Sequence, residues 1–220
     1  MKWISVLMLL LLPAALSSLQ AQTTCPPFWK EIEKFKKEDS AKMPFQKAIL
    51  LVGSSSFTRW KDVQDYFPGY AIINRGFGGS QLTDVIRYAY DVILPYAPKQ
   101  VLIYCGENDI AANVKAQEVV LRFRTLFGII RQNLPETSIY FVSMKPSPAR
   151  EQFAHEVKTA NAGIRSFLRK QKGTGYINVY HAMLNEKGLA RPELFVEDKL
   201  HMNAEGYRIW QKNIQPYLAK

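Results

Sequence analysis

Short apolar runs alternate along this chain with longer stretches in which apolar positions recur every three or four residues. Residues 48–52 (Ala-Ile-Leu-Leu-Val), 70–73, 101–104, 139–143 and 176–179 are runs of the first kind. A continuous apolar run of four or five residues fits a strand buried on both faces. Between the runs, residues 57–66 predict a short helix before Pro68-Gly69, and residues 82–94 a longer one on Leu82, Val85, Ile86, Ala89 and Ile93. Residues 115–132 place Val119, Val120, Phe123, Leu126, Phe127 and Ile130 on one helical face, and further helices are predicted over 151–171 and 204–218. Strands alternating with helices imply βαβ units with right-handed crossovers. The expected fold is therefore α/β, a three-layer α/β/α sandwich around a five-stranded parallel sheet. Residues 47–220 form this domain. A charged lead-in over 23–46 precedes it, with Phe28, Ile32 and Phe35 spaced for one amphipathic helix that packs on the domain, and Pro44 ends that segment.

The first 22 residues read differently. Lys2 is followed by a nearly unbroken apolar run and then by small residues, with Leu19-Gln20-Ala21 shaped like a cleavage site. This is the pattern of a secretory signal peptide cut near Ala21-Gln22, and the run is too short to span a bilayer. The mature chain is expected to be secreted or periplasmic, with no stable membrane insertion. An apolar content of 47% and an aromatic content of 12% argue against disorder. The net charge of +10 is scattered over separate segments with no nucleic-acid motif beside it, so it reads as solubility. Two cysteines, Cys25 and Cys105, make neither a disulfide scaffold nor a zinc site.

In a parallel sheet, functional groups collect beyond the carboxyl ends of the strands. Beyond the first stands Gly53-Ser54-Ser55-Ser56. Beyond the second stands Asn74-Arg75-Gly76-Phe77-Gly78-Gly79-Ser80, and beyond the third Gly106-Glu107-Asn108-Asp109. Asp198-Lys199-Leu200-His201 precedes the last helix. A serine hydroxyl becomes a nucleophile when an imidazole takes its proton, and a carboxylate fixes the tautomer of that imidazole. Asp198 and His201, three residues apart, fit such a pair; His155 and His181 lack an acidic residue three positions earlier and read as structural. Ser56 fits a helix N-cap, which leaves Ser54 and Ser55 for chemistry. The glycine cluster suits either an oxyanion donor or a phosphate cradle. The dinucleotide fingerprint fails because Gln81 stands where its last glycine belongs, which disfavours a Rossmann oxidoreductase. The G-x-S-x-G elbow fails because Phe57 replaces its second glycine.

Four blocks in this order over residues 49–207 resemble the SGNH hydrolase superfamily, also called GDSL-like lipases and esterases, and within it the platelet-activating factor acetylhydrolase-like branch. The resemblance implies a flavodoxin-like sandwich and a serine esterase that needs no metal or organic cofactor. It places the nucleophile at Ser55, with Ser54 the next candidate, and completes the triad with Asp198 and His201. It assigns the oxyanion hole to the backbone N–H groups of Ser55 and Gly79 and to the side chain of Asn108. One departure is plain: the aspartate of the family's Gly-Asp-Ser block is Ser54 here. The expected substrates are small-molecule or glycan esters of short acyl groups, such as acetyl on carbohydrate or lipid; nucleic acid is not an expected partner. A lysophospholipase or thioesterase of the same fold, or a non-catalytic carbohydrate-binding module, is the alternative. Arg75, Phe77, Lys145 and Arg150 stand at or beyond strand ends and are either substrate contacts or ordinary loop residues.

Overall fold

Burying five apolar runs on both faces at once requires a layer of helices on each side, and the chain is arranged in that way. The computed structural model describes residues 25–220, so the leader read over 1–22 lies outside the described residues. The strands are β1 (Ile49–Gly53), β2 (Ile72–Gly76), β3 (Gln100–Tyr104), β4 (Ser138–Val142) and β5 (Thr174–Ile177). All pair in parallel, in the order β2-β1-β3-β4-β5. The helices in chain order are α1 (Trp29–Ala41), α2 (Ser55–Thr58), α3 (Val63–Tyr66), α4 (Leu82–Arg87), α5 (Ala89–Val92), α6 (Glu107–Ala111), α7 (Ala116–Asn133), α8 (Ala154–Leu168) and α9 (Ala204–Ile214).

Successive strand residues point to opposite faces, and two cores result. Leu50, Val52, Val101 and Ile103 pack with residues of α1, α4, α5, α7 and α8 on one side. Ile49, Leu51, Leu102 and Tyr104 pack on the other with Phe57, Trp60, Tyr207 and Trp210. The lead-in helix belongs to the first layer: its Ile32 is fully buried. Among the described residues, no helix is long and apolar enough to cross a membrane.

Several element boundaries differ from the sequence reading, and at both helix breaks a tertiary contact overrides local periodicity. The helix expected over 57–66 is two turns, α2 and α3, parted where Trp60 is buried against Tyr66, Phe67, Tyr207 and Trp210. The residue before α2 is Ser54 rather than Ser56, and Ser56 lies buried inside the helix. The helix expected over 82–94 breaks at Tyr88, whose hydroxyl donates to the Pro27 carbonyl 2.7 Å away and whose ring meets Phe77. The helix expected over 151–171 begins as a 3-10 segment, Pro148–Phe153, before α8. Strand β2 runs on to Gly76, and β5 starts at Thr174.

One glycine governs the turn that matters most. Gly53, the last residue of β1, has φ 134°, and a Cβ there would stand 1.9 Å from the Tyr104 carbonyl oxygen. Only a residue without a side chain lets β1 lie this close to β3 and then turn at once into α2.

Candidate active site

Ser55 is the first residue of α2, immediately beyond the end of β1. The turn is held from three sides. The Ser54 N–H donates to the Tyr104 carbonyl at 2.9 Å, Phe57 is buried among Tyr104 and Trp210, and the Tyr207 hydroxyl donates to the Ser56 carbonyl at 2.9 Å. The Ser55 side chain is thereby carried to the rim of the sheet. The Ser55 Oγ lies 3.0 Å from Nε2 of His201, a residue 146 positions later. Nδ1 of His201 lies 2.6 Å from Asp198 Oδ2.

Asp198 and His201 sit in a tight loop ahead of α9. Lys199 takes a left-handed φ of 54°, and the Val196 N–H donates to the His201 carbonyl at 2.9 Å. Asn203 then caps α9 by accepting from the Gly206 N–H at 3.2 Å. The second oxygen of Asp198 accepts from the backbone N–H groups of Leu200 and His201, at 2.9 and 2.8 Å. Burial alone would raise the Asp198 carboxyl, but these two N–H donors and the imidazole outweigh it and hold the group well below the usual carboxylate range. An ionised Asp198 accepts from Nδ1–H and leaves Nε2 facing the hydroxyl. Serine, imidazole and carboxylate are thus in line, an arrangement able to deprotonate the serine.

A shallow depression of about 320 Å³ opens in front of Ser55. It is lined by Ser55, Thr58, Arg59, Gly78, Gly79, Asn108, Arg150, Leu200 and His201. Gly79 has φ 86°, a left-handed geometry that favours glycine. Asn108, in the first turn of α6, directs its amide nitrogen to the Ser54 Oγ at 2.7 Å and the Ser80 carbonyl at 3.0 Å. Ser54, only 3% exposed, is therefore occupied with Asn108, while the imidazole faces Ser55. Both hydrogens of the Asn108 amide have acceptors in the free protein.

Sequence reasoning named Lys145 and Arg150 but missed the carboxylate that pairs with both. Glu107, between Gly106 and Asn108, is buried and lies 3.2 Å from the Lys145 ammonium and 3.1 Å from Nη1 of Arg150. It also accepts from the Tyr104 hydroxyl. Burial alone would raise the Glu107 carboxyl, yet Lys145 and Arg150 hold it below its ordinary value. A charged residue between Gly106 and Asn108 was the available signal, but its partners lie far along the chain.

The other polar candidates separate cleanly. Arg150 lines the depression. Lys145 is buried against Glu107. Arg75 is not a substrate contact: it is buried, paired with Asp39, and donates to the Tyr96 hydroxyl at 2.6 Å. Phe77 is a core residue, packed between Phe28 and Tyr88. Asp109 is structural: its carboxylate accepts from the Leu82 N–H at 3.0 Å and from Arg122 at 2.9 Å. His181 pairs with Asn178. Cys105 is buried, Cys25 is exposed, and the two are not bonded to each other.

The sheet order, with helices on both faces and the site at the strand ends, is that of an SGNH-type α/β/α sandwich. The model of the GDSL-like lipase/acylhydrolase family matches residues 51–209. The chain belongs to that family and is an ester-hydrolysing enzyme. Among curated proteins, no sequence matches it. Solved structures share the fold at low identity. One, described as a platelet activating factor from Streptococcus pneumonia, superposes with a TM-score of 0.77 at 21% identity, over 86% of this chain and 92% of that one. A GDSL-like lipase from Bacteroides thetaiotaomicron gives 0.74 at 20% identity, over 84% and 96%. A catalytic mutant of an acetylxylan esterase from Geobacillus stearothermophilus gives 0.63 at 13% identity, over 80% and 95%.

Proposed function

We propose that this enzyme hydrolyses esters of short acyl groups, acetyl foremost, carried on a carbohydrate or lipid alcohol, by way of an acyl-enzyme on Ser55. The observation that carries this reading is the line of contacts Ser55–His201–Asp198, at 3.0 and 2.6 Å. His201 takes the Ser55 proton as Oγ attacks the ester carbonyl, and Asp198 orients the imidazolium that forms. The tetrahedral oxygen is received by the N–H groups of Ser55 and Gly79 and by the Asn108 amide. His201 then returns its proton to the departing alcohol. Water, deprotonated by the same imidazole, releases the acid.

The choice of a short acyl group rests on the shape and chemistry of the depression. It is open and lined by Thr58, Arg59, Asn108, Arg150 and two glycines, with Leu200 its one large aliphatic side chain. Such walls suit a small acyl group and a polar alcohol better than a long hydrocarbon. The likeness in fold to an acetylxylan esterase makes acetyl the first acyl group to try. The leader pattern of residues 1–22 supports an enzyme that meets its substrate after export.

Hydrolysis of p-nitrophenyl acetate and of long-chain p-nitrophenyl esters tests the reading, with Ser55→Ala and Ser54→Ala measured alongside. Acetate is expected to be cleaved fastest. Ser55→Ala is expected to lose about 10⁴-fold or more in kcat, whereas Ser54→Ala keeps measurable turnover. A preference for long chains would favour a lysophospholipase, and loss of activity in Ser54→Ala alone would move the nucleophile.

A further inference from the structure

An amide that stabilises an oxyanion must present nitrogen, not oxygen, to the hole, and the Asn108 side chain could in principle be turned either way. What fixes it here is Arg150. Its Nη2 donates to Asn108 Oδ1 at 2.9 Å. On the other side, the Asn108 nitrogen faces the Ser80 carbonyl at 3.0 Å. Turning the amide over would set an NH2 group against a guanidinium and an oxygen against a carbonyl, two like-against-like contacts in a partly buried site.

Arg150 is itself held. Its Nη1 lies 3.1 Å from Glu107 Oε1, and Glu107 is balanced from behind by buried Lys145. One guanidinium fork thus spans the side chains of two consecutive residues of α6, the carboxylate of Glu107 and the amide oxygen of Asn108. The backbone holds the same segment to the other half of the site: the Ala149 N–H donates to the Lys199 carbonyl at 3.1 Å, inside the loop that carries Asp198 and His201. A cation on the amide oxygen also polarises the group and makes its N–H the stronger donor.

We propose that Arg150 is a positioning residue for ester hydrolysis, aiming and polarising the Asn108 amide toward the oxyanion. This rests on the reading above that Asn108 serves the oxyanion hole. Removing Arg150 then costs transition-state stabilisation rather than substrate binding. Removing one such donor outright costs about 10²–10³-fold in rate. A donor that has lost its aim forfeits part of that, on the order of 10–100-fold in kcat, with KM within about threefold.

The test is a double-variant cycle on p-nitrophenyl acetate hydrolysis, with Arg150→Met, Asn108→Ala and both together. Arg150→Met is expected to lower kcat with little change in KM, and the double variant to be no slower than Asn108→Ala, because an amide that is absent cannot be misaimed. Wild-type kcat in Arg150→Met overturns the proposal. So does a double variant slowed by the full product of the two single effects, since that shows Arg150 acting independently of Asn108. Near-normal turnover in Asn108→Ala instead removes the oxyanion reading itself, and this inference with it. Should Arg150→Met fail to fold, Arg150→Lys keeps a charge against Glu107 but has no fork to serve both oxygens. It is expected to lose kcat in the same way, and full kcat in the Lys variant overturns the positioning role.

Discussion

Adjacent serines have been given different work by a single residue of register. Ser55 Oγ meets the imidazole at 3.0 Å, while Ser54 Oγ, at the position of the family's aspartate, receives the Asn108 amide at 2.7 Å. A neutral hydroxyl accepts that amide where the Gly-Asp-Ser block would place a carboxylate. The charge on Asp198 belongs to this scale as well. Asp198 is held well below the ordinary carboxylate range, so it stays ionised through the mildly acidic range in which a free carboxylate begins to take up a proton. In the proposed mechanism that charge orients the imidazole, and Asp198→Asn, which removes it while keeping the shape of the side chain, is expected to lower kcat for acetate esters by about 10⁴-fold; near-normal kcat in that variant would take Asp198 out of the triad. Asp198 and His201 were legible in the sequence because three residues separate them. Arg150 was legible only as a residue beyond a strand end; its pairing with Glu107 and Asn108 was not, because Lys145 lies 38 positions from Glu107, and Arg150 lies 42 from Asn108. No local pattern records such pairings.

The strands were the legible elements. Burial on both faces leaves a continuous apolar run, and each of the five runs overlaps an observed strand. Their ends were less legible, since β2 continues through Asn74 and Arg75, polar residues whose side chains find partners inside the protein. Helix breaks were illegible for the same reason. The break at Tyr88 depends on a hydrogen bond to Pro27, 61 residues away. The turn from β1 into α2 gives the sharpest test at this scale. Gly53→Ala puts a methyl group 1.9 Å from a carbonyl oxygen at a φ that alanine avoids. It is expected to destabilise the protein by about 3 kcal/mol or more, read as a lowered Tm, because the obstacle is backbone and cannot rotate away.

Across the whole molecule, the site is assembled from segments that only the sheet brings together: the ends of β1 and β3, the loop after β2, the segment after β4 and the loop before α9. The strand–helix alternation was enough to forecast this convergence, though not which polar side chains would turn inward. Arg75 illustrates the difference. It lies at the end of a strand, as a site residue would, yet its guanidinium is drawn away to Asp39 of α1 and lies 5.0 Å from both the Phe35 and Tyr96 ring centres. This pairing ties the lead-in helix to the sheet. Asp39→Ala is expected to cost about 1–3 kcal/mol by leaving a largely buried guanidinium without its carboxylate, with kcat for acetate esters unchanged. Altered kinetics in that variant would connect α1 to the site.

If His201 activates Ser55, that hydroxyl alone should react with a fluorophosphonate. Treatment of the native enzyme, followed by mass spectrometry of its peptides, is expected to give one phosphonyl adduct, on Ser55, formed quickly in the native protein and not in His201→Ala. An adduct on Ser54, or none on a folded enzyme that still cleaves esters, would rule out Ser55 as the activated nucleophile.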